Sequence, residues 1–147
     1  MLLEYVREFY LPAADDYAQR CANGAALAQS LWRWERQIHH RWREVHTGHL
    51  EVAPGDDSLD FSLPVYLGDL PVDAVAAQLY TEAAGGEPVE VIAMQSAGPV
   101  PGAINGVLFR ARVVTRRPAS DFSARLVPHH PGARVPLESN SIHWTEH

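Results

Sequence analysis

The stretch Val107-Leu108-Phe109-Arg110-Ala111-Arg112-Val113-Val114 decides the fold. From Phe109 to Val113 apolar and charged residues alternate. In an extended chain this puts Phe109, Ala111 and Val113 on one side and Arg110 and Arg112 on the other. A strand with one dry and one wet face belongs to an antiparallel sheet. Upstream and downstream lie more runs of the same kind: His49–Ala53, Phe61–Leu67, Ala76–Thr81, Val89–Gln95, Phe122–Pro128 and Ser141–Thr145. Turn signals separate them at Pro54-Gly55-Asp56-Asp57, Gly68-Asp69-Leu70-Pro71, Gly85-Gly86, Gly98-Pro99-Val100-Pro101-Gly102 and Asn105-Gly106. About seven short strands with turns at this spacing predict an antiparallel β-sandwich of immunoglobulin-like type over residues 49–147.

Residues 1–48 carry a different period. Leu3, Val6, Tyr10, Ala13, Tyr17 and Cys21 recur at intervals of three and four, which places them on one helical face. Pro12 falls inside this run and predicts a kink or a split. Asn23-Gly24 breaks the pattern, and a second helix is expected from about Ala25 to Val45. There Leu27, Leu31, Trp34, Ile38, Trp42 and Val45 form the apolar stripe, with Arg33, Arg36, His40 and Arg43 largely opposite and Gly48 as terminator. Two helices joined by so short a break make an antiparallel hairpin, so the class is α+β, a helical hairpin followed by a sandwich. Trp32 and Trp34 lie on well-separated sides of the second helix, which implies two packing partners, the sandwich and something else. Met1-Leu2-Leu3 has no capping residue before the periodic run, the expectation for a chain cut from a longer protein.

Composition narrows the function classes. A chain of 147 residues fits one domain, or one domain with a small appendage, and is long enough to build its own core. No apolar run reaches transmembrane length, and acids at Glu4 and Glu8 interrupt the start where a signal peptide needs an apolar core. Cys21 is the sole cysteine, so no internal disulfide forms, which fits a reducing cytoplasm. Residues 1–50 balance six Arg against six acids, whereas residues 51–147 set six Arg against twelve acids and account for the whole net charge of −6. An acidic β-rich half argues against nucleic acid and against anionic membranes as partners. There is no lysine anywhere in the chain. That closes off a pyridoxal phosphate Schiff base, a lysine nucleophile and a Walker-type phosphate lysine.

Residues that could carry chemistry have simpler readings. Two metal ligands on a helix want a spacing of four, but His39 and His46 are seven apart, and neither a cysteine pair nor a His-Glu-x-x-His motif occurs. His39 and His40 point in different directions, and His129 and His130 would face opposite sides of a strand. Asp56, Asp57 and Asp60 lack calcium-loop spacing and read as a polar loop leading into the strand at Phe61. Ser120-Asp121, with His129 nearby in sequence, has no nucleophile elbow and reads as a turn with a side-chain cap. Cys21 on the apolar stripe reads as an inert, buried thiol. No catalytic, cofactor-binding or metal residue is therefore assigned.

Four segments in order resemble the C-terminal region of bacterial α-glucan (glycogen or maltodextrin) phosphorylases. Tyr5-Val6-Arg7-Glu8-Phe9-Tyr10-Leu11-Pro12-Ala13-Ala14 is similar to a helix of that family, and Trp34 through Trp42 resembles its tryptophan-spaced second helix. Val65-Tyr66-Leu67-Gly68-Asp69-Leu70 with Val75 and Leu79-Tyr80 is a third resemblance. The ending is the fourth: Arg117-Pro118-Ala119-Ser120-Asp121-Phe122, Arg125 to Pro131, Val135-Pro136-Leu137-Glu138 and Ile142-His143-Trp144. The resemblance implies phosphorolysis of α-1,4-glucans to glucose 1-phosphate by the full-length enzyme, a glycosyltransferase with pyridoxal phosphate as cofactor. It also implies that the catalytic residues lie upstream, so this chain alone is expected to be inactive. Its expected role is an accessory module on the catalytic body, with a carbohydrate-binding sandwich that touches α-glucan, or an interaction module that forms homo-oligomers, as alternatives.

Overall fold

The computed structural model describes residues 11–83, 86, 88–135 and 139–145. The helical part is α1 (Leu11–Arg41), followed by a 3-10 turn at Trp42–Glu44. The expected break is visible in the backbone, because Asn23 and Ala25 take φ of 51° and 60°, values foreign to a right-handed helix. The part of the first expected helix before Leu11 lies outside the described residues. The helix stops earlier than the Gly48 terminator implies, at Arg41, where His39, His40 and Arg41 crowd the negative end of its dipole. Arg41 then clamps the exit, reaching Glu44 at 3.2 Å and Asp69 at 2.7 Å.

Among the described residues nine strands follow: β1 (His46–Thr47), β2 (Glu51–Pro54), β3 (Ser58–Tyr66), β4 (Val75–Thr81), β5 (Glu90–Ala93), β6 (Gln95–Pro99), β7 (Gly106–Val114), β8 (Phe122–Pro128) and β9 (His143–Trp144). All pairings are antiparallel. β7 occupies one edge of β3 along its whole length, so β1 and β2 share the other edge as one interrupted strand. The first sheet thus runs β1/β2-β3-β7-β6, and the second runs β5-β4-β8-β9. The chain changes sheet after β3, β5 and β7. Adjacent pairs β3–β7 and β4–β8 joined by those crossings give the A-B-E-D and C′-C-F-G arrangement of an immunoglobulin-like sandwich.

Alternation along the strands builds the core. Phe61, Leu63 and Val65 of β3, Ala77 and Leu79 of β4, Phe109 of β7, and Phe122, Ala124 and Leu126 of β8 are all buried. Phe61 and Phe122 meet across the two sheets with ring centroids 5.0 Å apart. Arg110 and Arg112 face out, as their alternation with apolar residues requires. On α1 and the turn after it, Trp34, Ile38 and Val45 join this core, with Leu31 and Trp42 packed beside them.

Two expectations needed changing in detail. The single strand Val89–Gln95 is two, β5 and β6, in different sheets. Met94 lies between them, buried, with its N–H donating to Ala77 O at 2.9 Å. The sandwich also begins at His46, before residue 49, because β1 pairs with Val65 and Tyr66.

Candidate functional site

The stripe that the sequence marks as apolar on the first expected helix is turned to solvent over its described part, unlike the stripe of the second, where Trp34 and Ile38 are buried. Ala13, Tyr17 and Cys21 are exposed, Tyr17 at 72%. The inward positions one residue earlier are polar instead. Asp16 pairs with Arg134 at 2.8 Å, and Arg20 donates to Gly132 O at 3.2 Å. The loop at 130–134 therefore runs antiparallel along α1, since His130 meets Ser30 and Trp34, Gly132 meets Leu27, and Arg134 meets Asp16. This corrects the reading of Cys21 as buried. A period of 3.6 identifies a face but not which way it points. Hydrogen bonding with Cys21, then charge on that thiol, raises the Tyr17 phenol above its ordinary value. Further along α1, Trp32 is exposed with the Arg36 guanidinium 4.8 Å from its ring centroid.

A second surface lies on the outer face of the second sheet. β8 sits between β4 and β9, with Arg125 opposite Gln78 on one side and opposite Trp144 on the other. Its Nε donates to Gln78 Oε1 at 3.0 Å. Its guanidinium lies 5.1 Å from the Tyr80 ring centroid and 5.3 Å from that of Trp144. The two rings meet at 81°, centroids 5.4 Å apart. Together with Glu82, Ser120, Asp121 and Ser123 they line an open cleft of about 710 Å³. Sequence reasoning did not assemble this cluster, because its members come from three strands whose register it could not know. The available signal was the wet-face spacing of Gln78 with Tyr80 and of Ser123 with Arg125.

The remaining candidates are dispersed. Among the described residues no three His, Cys, Asp or Glu side chains gather as a metal would need. His39 and His40 contact each other edge to face on the exposed side of α1. His46 stacks on Tyr66 at 4.9 Å, and its Nδ1 meets Glu44 O. His129 and His130 lie beyond β8, where His129 Nδ1 meets Asp73 O and His130 Nε2 meets Ser30 Oγ, both at 3.0 Å. Ser120 precedes β8 and His129 follows it, so about 20 Å of strand separates them and no triad forms. Ala119–Asp121 is a turn as expected, but no side chain caps it. Asp60 belongs to β3 rather than to the loop before it, and receives Arg112 through two hydrogen bonds of 2.8 Å. That pair lines a cleft of about 810 Å³ that also takes in residues of β2, β5 and β6, and its two charges neutralise one another there.

No helix among the described residues is long and apolar enough to cross a membrane. No protein-family model matches the chain, and none of the curated proteins compared with it matches either.

Proposed function

We propose that the chain is a non-catalytic C-terminal module of an α-glucan phosphorylase, docked on the catalytic body of that enzyme through the outward face of its helical half. The full-length enzyme in this reading is cytoplasmic and cleaves α-1,4-glucans with phosphate to give glucose 1-phosphate. The observation that carries the proposal is the inverted stripe on the N-terminal part of α1, at Ala13, Tyr17 and Cys21. A helix that served only its own sandwich would turn Tyr17 and Cys21 inward and leave Asp16 and Arg20 in water. Here the polar pair faces the sandwich and is satisfied there, while Ala13, Tyr17, Cys21 and Trp32 face away. The four resembling segments supply the identity of the body. Three of them also lie close together, with Tyr80 beside Trp144 and Trp34 beside His130.

With no lysine in the chain, none of its residues can hold pyridoxal phosphate as a Schiff base. The cofactor does not fit this module, and the chemistry belongs to the body. The test is an assay of the pure chain with maltoheptaose and phosphate. The proposal expects no glucose 1-phosphate above the buffer control, and sustained release would sink it.

A further inference from the structure

We propose that the cleft at Tyr80, Arg125 and Trp144 binds a terminal sugar ring of a neutral oligosaccharide. This goes beyond docking by the helical face and holds whether or not that docking occurs.

Trp144 is still 44% exposed after packing on its neighbours. An indole left open beside a polar rim offers a flat apolar surface that matches the C–H face of a pyranose. The rim supplies what sugar hydroxyls need. Glu82 and Asp121 only accept hydrogen bonds, Arg125 only donates, and Ser120 and Ser123 do both.

Charge selects against other small ligands. Two carboxylates and one guanidinium line the cleft, and the resulting net negative charge repels phosphates and carboxylates. A cationic ligand would have to reach the aromatic faces beside the Arg125 guanidinium, which lies 5.1 Å from the Tyr80 centroid and 5.3 Å from that of Trp144 and repels it, whereas a neutral ring meets no such repulsion. A neutral polyol remains. The cleft volume of about 710 Å³ is that of a small-molecule site.

The angle between the rings selects the part of the sugar. A flat polymer binds best on coplanar aromatics, whereas Tyr80 and Trp144 meet at 81° and form a corner. A corner receives the end of a chain. The corner is also held in place. Arg125 is tied to Gln78, and the main chain at Glu82 accepts from Arg117 Nη1 at 2.9 Å. Little ordering is left for the ligand to bring about.

The experiment is a titration of the whole chain with maltotriose, maltoheptaose and cellotriose, following the four indole N–H resonances by NMR. Trp144→Phe assigns its own resonance by removing it. The proposal expects that resonance to shift saturably with at least one trisaccharide, and maltoheptaose to bind no more than about threefold more tightly than maltotriose, since extra rings lie outside the corner. Trp144→Ala and Glu82→Gln should each weaken binding about tenfold. Glu82→Gln keeps the size of the side chain, so it tests the cleft even where Trp144→Ala loosens β9. The proposal is overturned if none of the three sugars shifts the Trp144 resonance, if Glu82→Gln binds as tightly as the parent chain, or if affinity climbs steadily with chain length.

Discussion

Trp32 and Trp34 are separated by one residue on α1 and have opposite surroundings: Trp34 is 8% exposed in the seam between helix and sandwich, and Trp32 is 56% exposed on the far side. The same helix thus presents a large aromatic to each of two environments. Trp34→Ala should cost about 3 kcal/mol, the usual penalty for emptying a buried aromatic site. Trp34→Phe should cost under about 1 kcal/mol, because the buried Trp34 Nε1 has no hydrogen-bond partner among the described residues to lose. Trp32→Ala should stay within about 0.5 kcal/mol. Urea denaturation of the three variants tests this ordering.

Arg117 is buried and forks onto two carbonyls, Glu82 O at 2.9 Å and Pro88 O at 3.0 Å. It therefore closes the connection between β4 and β5. Arg117→Ala removes the donors and leaves those carbonyls short of partners, at a cost of about 2 kcal/mol. Arg117→Lys should recover only part, since a single ammonium cannot reproduce the planar fork. Thermal unfolding of both variants is the check.

Asn105 does two jobs that can be separated. Its φ of 50° is a left-handed value that few side chains tolerate, and its Nδ2 donates to Gly68 O at 2.6 Å and to Leu70 O at 3.0 Å. Asn105→Ala loses both contributions and should cost about 2 kcal/mol. Asn105→Gly restores the backbone freedom and should recover about 1 kcal/mol of that. Equal losses in the two variants would show that the backbone conformation contributes little.

Asp60 and Arg112 give the sandwich a defined pH response. Hydrogen bonds from Arg112 hold the Asp60 carboxyl below its ordinary value, partly opposed by desolvation and aided by the guanidinium charge. A carboxylate whose value is depressed on folding contributes stability above its unfolded value and loses it as pH falls through the folded one. Stability should therefore decline on acidification below the ordinary aspartate range, with a shallower decline in Asp60→Asn. Carboxyl NMR titration and denaturation across that range measure both. The size of the effect is set by an exposed pair and should shrink with added salt.

The strands were legible where one face is dry. β8 runs from Phe122 to Pro128 as its alternation requires, and the turn residues bound β3, β4 and β7 to within a few positions. The split at Met94 was not legible, because a continuous apolar run does not show that the chain changes sheets in its middle. Asp60 reads as loop in the sequence because Asp56 and Asp57 precede it, although its cross-strand partner Arg112 makes an acid at that position favourable. The exposure of Cys21 is hidden from the sequence for a different reason. The period there is right, but the loop at 130–134, over a hundred residues away, decides which side of α1 is covered. The Tyr80–Arg125–Trp144 corner depends on the β4–β8–β9 register, a tertiary fact with no local signal.

The docking claim is tested most directly by sedimentation velocity of this chain mixed with an α-glucan phosphorylase body that ends before its closing helices. The account predicts one stoichiometric complex that Tyr17→Asp together with Trp32→Asp abolishes, while the doubly substituted chain keeps its own fold. Independent sedimentation of chain and body, or a complex indifferent to both substitutions, would contradict it.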